Sequence, residues 1–175
     1  MKPDEFEFER DVIDAADDSQ RAFLDALEET IRRLAPDHLD LPNTTATIDN
    51  GLLLVTLPHR SQDDQRLAAS VGPDEAVVYF GVEHEHFWPG DTSSGRLWPI
   101  DAPDHAAAAG ELVKAILAGR VELEVREGIL MQRATSYLVD DQGNREAITR
   151  SGTLRPRRRP ASPRLVRFDF GVAGS

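Results

Sequence analysis

The chain of 175 residues contains no cysteine, which excludes disulfide bonds, thiolate metal sites and cysteine nucleophiles. No apolar run approaches the ~20 residues that a membrane-spanning helix requires. The first residues, MKPDEFEFER, are acidic and lack the apolar segment of a secretory signal. From these absences we expect a soluble, cytoplasmic protein that does not contact membranes.

Lysine is also scarce, because only Lys2 and Lys114 accompany 18 arginines, a bias typical of GC-rich bacterial genes. The net charge is −11 and is unevenly distributed. Residues 1–149 carry 13 basic and 30 acidic residues, a net of −17, whereas residues 150–175 carry 7 basic residues against Asp169, a net of +6. This distribution predicts a body that attracts basic partners and repels nucleic acid.

Two segments have helical periodicity. The first begins at Asp18 or Ser19 as N-cap and runs to about Leu34, before Pro36. Its apolar stripe consists of Phe23, Leu24, Leu27, Ile31 and Leu34. The second helix begins at Asp101 or Asp104 and ends near Gly119. Both stripes are one-sided, which predicts helices that cover an apolar sheet.

The remaining elements are predicted strands. Asn50-Gly51 favours a two-residue type I′ turn, which places Ile48 opposite Leu53. Further strands are predicted at residues 66–71, 76–88, 121–127, 131–139, 145–154 and 164–171. In the strand at residues 121–127 the apolar residues are expected to point inward and the polar residues, Glu122, Glu124 and Arg126, outward. The order of elements predicts one α+β domain over residues 1–175, with a mainly antiparallel sheet of about six to eight strands and two amphipathic helices packed on it. Residues 1–17 are expected to be a frayed arm or an edge strand, and residues 155–163 an Arg/Pro-rich connection.

The segment AVVYFGVEHEHFW, residues 76–88, is interpreted as one long strand whose first half is buried on both faces. His84 and His86 share one face at its polar end, where two imidazoles can reach one metal ion. No cofactor is expected, but if a metal is bound it should be zinc or another ion that prefers imidazole. His59, His105, Asp91 or a carboxylate across the sheet are the candidates for a third ligand. The alternative is a pair of histidines on the rim of the sheet without metal.

Two further groups of residues are candidates for binding. Trp88, Trp98, Phe87 and Arg96 could line a ligand cleft or an interaction surface, and the alternative is closure of the core by the two tryptophans. Arg157, Arg158 and Arg159 are candidate contacts for phosphate or for an acidic protein surface. Their alternative is an exposed connection that interacts with the acidic surface of the same chain.

No catalytic constellation is recognisable, because the chain lacks G-x-S-x-G, P-loop, G-x-G-x-x-G and H-E-x-x-H patterns. The leading hypothesis is a non-enzymatic interaction module for a basic protein partner, analogous in charge and size to immunity-type proteins of bacterial toxin systems. One alternative is a metal-binding domain or metal-assisted enzyme centred on His84 and His86. Another is a small-ligand binder that uses the Trp88–Trp98 loop. The oligomeric state is left open.

Overall fold

The computed structural model describes residues 2–62, 65–88, 104–127, 131–140, 142–154 and 162–172. Within these ranges the helices are α1 (Arg10–Ala15), α2 (Asp18–Leu34) and α3 (His105–Leu117), with short 3-10 helices at Pro3–Glu5 and Leu41–Asn43. The strands are β1 (Thr45–Asp49), β2 (Leu52–Leu57), β3 (Leu67–Val71), β4 (Ala76–Phe80), β5 (Glu83–Phe87), β6 (Val121–Glu127), β7 (Met131–Val139), β8 (Arg145–Leu154) and β9 (Arg164–Arg167). The predicted α+β class is confirmed. Among the described residues, no helix has the length and apolar content needed to cross a bilayer.

The strands form two antiparallel sheets rather than the single sheet that was expected. One sheet has the order β1-β2-β3-β4-β5, and the other has the order β8-β7-β6-β9. Helix α3 stands between β5 and β6 in the chain, and it packs on α2 and on β3, β4 and β5. The helices and the inner faces of both sheets nevertheless share one apolar core.

Local chemistry explains where the helices begin and end. The side chain of Asp17 accepts the N–H of Gln20, and Gln20 Oε1 accepts the N–H of Asp17, which forms a capping box for α2. Ala35 ends this helix in the left-handed region, directly before Pro36. Asp104 caps α3 by accepting the N–H of Ala107. The predicted apolar stripe of α2 is buried from Phe23 to Ile31, which orients the helix on the core.

The β1–β2 hairpin has the predicted register, with Ile48 opposite Leu53 across the Asn50-Gly51 turn. Both turn residues have positive φ, as a type I′ turn requires. Residues 76–88, by contrast, are not one strand. Gly81 has a φ of +59° and turns the chain with Val82, so that β4 and β5 form a tight antiparallel hairpin. The central long strand was therefore a wrong prediction, because a glycine in the middle of the pattern reverses the chain.

The N-terminal residues are neither frayed nor an edge strand. Phe6 and Phe8 are buried, and their rings meet edge to face with centroids 5.0 Å apart. The N–H of Phe8 donates to Glu28 Oε1 at 2.8 Å, and Arg32 donates to the carbonyl of Phe6 at 3.2 Å. Phe6 and Phe8 are therefore held against α2 by apolar burial and by a buried carboxylate, and α1 packs on β1.

The C-terminal residues connect the two sheets. Strand β9 pairs with β6, and Phe168, directly after it, packs its ring on Phe80 of the other sheet at 5.8 Å. Gln65 Oε1 accepts the N–H of Asp169, and the N–H of His38 donates to the carbonyl of Phe170. The residues that follow β9 therefore connect both sheets to one apolar core.

Candidate functional site

The outward face of the five-stranded sheet carries the two histidines. Cross-strand register places Tyr79 opposite His84 and Val77 opposite His86, all on the side away from the helices. Strand pairing extends this surface to β3 and β2, where Ser70 lies opposite Val77 and Leu54 lies opposite Ser70. We call this surface the histidine face, and it comprises Leu52, Leu54, Glu75, Val77, Tyr79, His84, His86 and Trp88. Four of its apolar residues are exposed, namely Tyr79 46%, Trp88 45%, Leu54 41% and Leu52 39%, whereas Val77 is buried.

Four aromatic rings form a row across this face. The ring centroids are 5.9 Å apart from Tyr79 to His84, 4.9 Å from His84 to His86 and 5.4 Å from His86 to Trp88. The last pair is stacked, with an interplanar angle of 14°. Such a row of rings offers a broad apolar surface and π-faces that attract cations.

Glu75 orients the second histidine. Its Oε1 atom accepts a short hydrogen bond from His86 Nδ1. With the proton on Nδ1, the Nε2 atom of a neutral imidazole carries a lone pair, so the bond to Glu75 selects the tautomer whose Nε2 can bind a metal. Glu75 reaches His86 from the turn that precedes β4, which no sequence motif indicated.

The proposed third metal ligands have other partners. His59 Nδ1 accepts the N–H of Ser61, so its Nε2 carries the proton and donates to the carbonyl of Asp169 at 2.9 Å. His105 Nε2 binds the carbonyl of Gly72 at 2.9 Å and holds α3 to the β3–β4 turn. In the part of the chain that the structure describes, no group of three His, Cys, Asp or Glu side chains is arranged to hold a metal ion.

The other predicted site residues have different outcomes. Phe87 is 6% exposed and points into the core, because it alternates with His86 and Trp88 along β5. Phe87 is therefore a core residue rather than part of a surface. Trp98, Arg96 and Asp91 lie outside the described residues, as do Arg157, Arg158 and Arg159. The ligand cleft predicted for the Trp88–Trp98 loop accordingly stays a prediction.

A second polar surface lies on the outward side of the four-stranded sheet. Strand register places on it the residues Glu122, Glu124, Arg126, Arg133, Arg145 and Arg167, which we call the arginine face. Sequence alternation predicted that β6 would point its polar residues to solvent, but Glu122 is buried between two arginines. Its Oε1 lies 2.6 Å from Arg167 Nε and its Oε2 lies 2.5 Å from Arg145 Nη2.

Electrostatics on this surface are dominated by arginine. A hydrogen bond from Arg126 Nε to Glu124 Oε1, at 2.5 Å, lowers the pKa of Glu124 from its ordinary value. The attraction between the two charges and a longer bond from the Tyr137 hydroxyl, at 3.4 Å, act in the same direction. Glu124 is therefore held in its ionised form by the neighbouring guanidinium.

Comparison with protein families, with curated proteins and with solved structures finds no match to this chain.

Proposed function

We propose that this protein is a non-enzymatic interaction module that binds a basic protein partner through the histidine face. The observation that carries the proposal is the exposure of four large apolar side chains on one sheet surface. Exposed apolar patches are characteristic of binding sites, and Trp and Tyr are favoured at the centres of interfaces.

The charge around the face favours a cationic partner. Asp49 lies opposite Leu52 and is exposed, and Glu75 binds His86 on the same face. The net charge of −17 over residues 1–149 adds a long-range attraction for basic surfaces. Lysine and arginine side chains also bind over the π-faces of Tyr and Trp, which links the aromatic row to the same partner.

A random peptide library selected against the full chain tests this function. We expect enriched peptides to be rich in Lys and Arg, and their affinity to fall as salt is raised. The double variant Tyr79→Ser/Trp88→Ser should weaken binding by about tenfold or more, since both residues are central anchors. Leu165→Ser is the matched control, because Leu165 is equally exposed but lies on the other sheet. Selected peptides that bind wild type and the double variant equally well would contradict the proposal.

A metal site at His84 and His86 is the second candidate function. Two imidazoles that bind one tetrahedral ion at ordinary zinc–nitrogen distances have ring centroids about 5 Å apart. The observed 4.9 Å and the bond from His86 to Glu75 favour this arrangement, with the remaining ligands supplied by water or by a partner.

Calorimetric titration with zinc tests the second candidate. We expect binding that is lost in His84→Ala/His86→Ala and about tenfold weaker in Glu75→Gln, which removes the orienting carboxylate. His38→Ala is the control, because His38 is also exposed but lies away from the pair. Zinc binding that survives in the double variant would assign the ion to another part of the chain and would rule out this site.

A further inference from the structure

Arg126 and Arg133 lie directly opposite each other on β6 and β7. Both side chains are exposed on the outward side of the four-stranded sheet. Like charges in directly opposed positions destabilise a sheet. On its other side, Arg133 faces Gly152 of β8, which supplies no compensating charge. Glu124 offsets the charge of Arg126, whereas the described residues place no acidic side chain against Arg133, so the pair retains a net positive charge.

The charge of the arginine face, counted over the side chains that the structure describes, has the sign opposite to that of the chain. Four arginines stand against Glu122 and Glu124, a net of +2 on a protein whose net charge is −11. An acidic ligand is complementary to this face and is repelled by the surrounding acidic surface. A ligand must therefore be short enough to stay on the face.

Two glutamates of the chain itself already bind arginines on this surface. Glu122 is held by Arg145 and Arg167, and Glu124 is held by Arg126. The side chains of Arg167 and Arg126 remain 71% and 68% exposed. Because each guanidinium has five N–H donors, these arginines can bind a further carboxylate from solvent.

We propose that the arginine face binds a short acidic segment of a partner protein, at a site separate from the histidine face. Four strands give a surface roughly 15 Å wide, which matches a few carboxylates. A nucleic acid duplex is a poorer match, because its charges repeat every ~1.7 Å along an extended axis. A duplex is longer than the face and would extend onto the acidic surface of the chain. Its phosphates would also lie close to the like-charged Glu124.

Fluorescence anisotropy with a labelled peptide of consecutive glutamates tests the proposal on the full chain. The variant Arg126→Gln/Arg133→Gln leaves the buried Glu122 and its two arginines intact. We expect it to weaken binding about fivefold or more, as the loss of two exposed charge-assisted contacts implies. Arg10→Gln/Arg33→Gln removes the same charge from exposed helix positions and should change affinity by less than about twofold.

Four outcomes overturn the proposal. The first is the absence of peptide binding at low salt, and the second is an equal loss of affinity in both double variants. The third is tighter binding of a single- or double-stranded oligonucleotide at the same salt, which makes nucleic acid the ligand. The fourth is a dimer at low salt that dissociates in Arg126→Gln/Arg133→Gln, which makes a second copy of the chain the occupant.

Discussion

Arg145 on β8 reaches across β7 to Glu122 on β6, where its Nη2 atom lies 2.5 Å from Glu122 Oε2. On the way, its guanidinium carbon lies 5.8 Å from the centre of the Tyr137 ring on β7. Arg167 on β9 binds the same carboxylate from the opposite side. One buried glutamate thus links all four strands of the sheet.

The double variant Arg145→Gln/Arg167→Gln should lower the free energy of unfolding by about 1–3 kcal/mol, because it leaves the buried Glu122 carboxylate without compensating charge. Urea denaturation measures the effect. In a Glu122→Gln background the same two substitutions should lower the free energy of unfolding by less, since no buried charge remains. Equal costs in the two backgrounds would show that the three residues are not coupled.

Gln20 connects α2 to the five-stranded sheet, since its Nε2 donates to the carbonyls of Gly51 and Val71 at 2.8 and 2.9 Å. Gln20→Met keeps the volume but leaves both carbonyls without this donor. We expect a loss of about 2 kcal/mol in the free energy of unfolding. Glu29→Met, on the exposed side of the same helix, is the control, and a similar loss there would contradict the assignment.

The packing of the N-terminal residues can be tested at Phe6, which is 2% exposed. Phe6→Ala should cost about 3 kcal/mol, because it removes a buried ring and leaves a cavity beside Phe8. Its exposed neighbour Glu7 provides the matched control Glu7→Ala. Thermal or urea denaturation that finds no difference between these two variants would indicate that the segment is frayed in solution.

The β7–β8 turn should confer a pH-dependent stability. Hydrogen bonds from the side chain and backbone of Asn144 lower the pKa of Asp140. A lowered folded-state pKa contributes stability that is present above the unfolded value, near pH 4, and is lost as pH falls through the folded value. The difference in the free energy of unfolding between wild type and Asp140→Asn should therefore shrink as the pH falls below about 5. Urea titrations at several pH values measure it, and a constant difference would refute the linkage.

Much of the local structure was predictable because local chemistry determines it. The Asn50-Gly51 pair specifies a turn with two positive φ values, and that turn alone sets the register of β1 against β2. The cap at Asp104 and the break at Pro36 likewise act within a few residues. Alternation in β6 correctly placed Leu123 in the core.

The candidate sites were only partly predictable. The spacing of His84 and His86 placed both on one face, and the prediction of a shared surface with Trp88 agrees with the row of rings. Their neighbours Tyr79 and Glu75 were missed, because one long strand puts Tyr79 on the opposite face. The signal that could have found them is Gly81, whose position inside an apolar pattern marks a reversal.

The sequence by itself determined the class of the fold, the cap at Asp104, the first hairpin and the apolar stripe of α2, since propensity, capping and turn chemistry act over short distances. Only the tertiary structure decided that the strands divide into two sheets, that Phe6 and Phe8 are buried, and that Arg126 faces Arg133. These features depend on which distant segments pair, and pairing is governed by the burial of a shared core rather than by any local pattern.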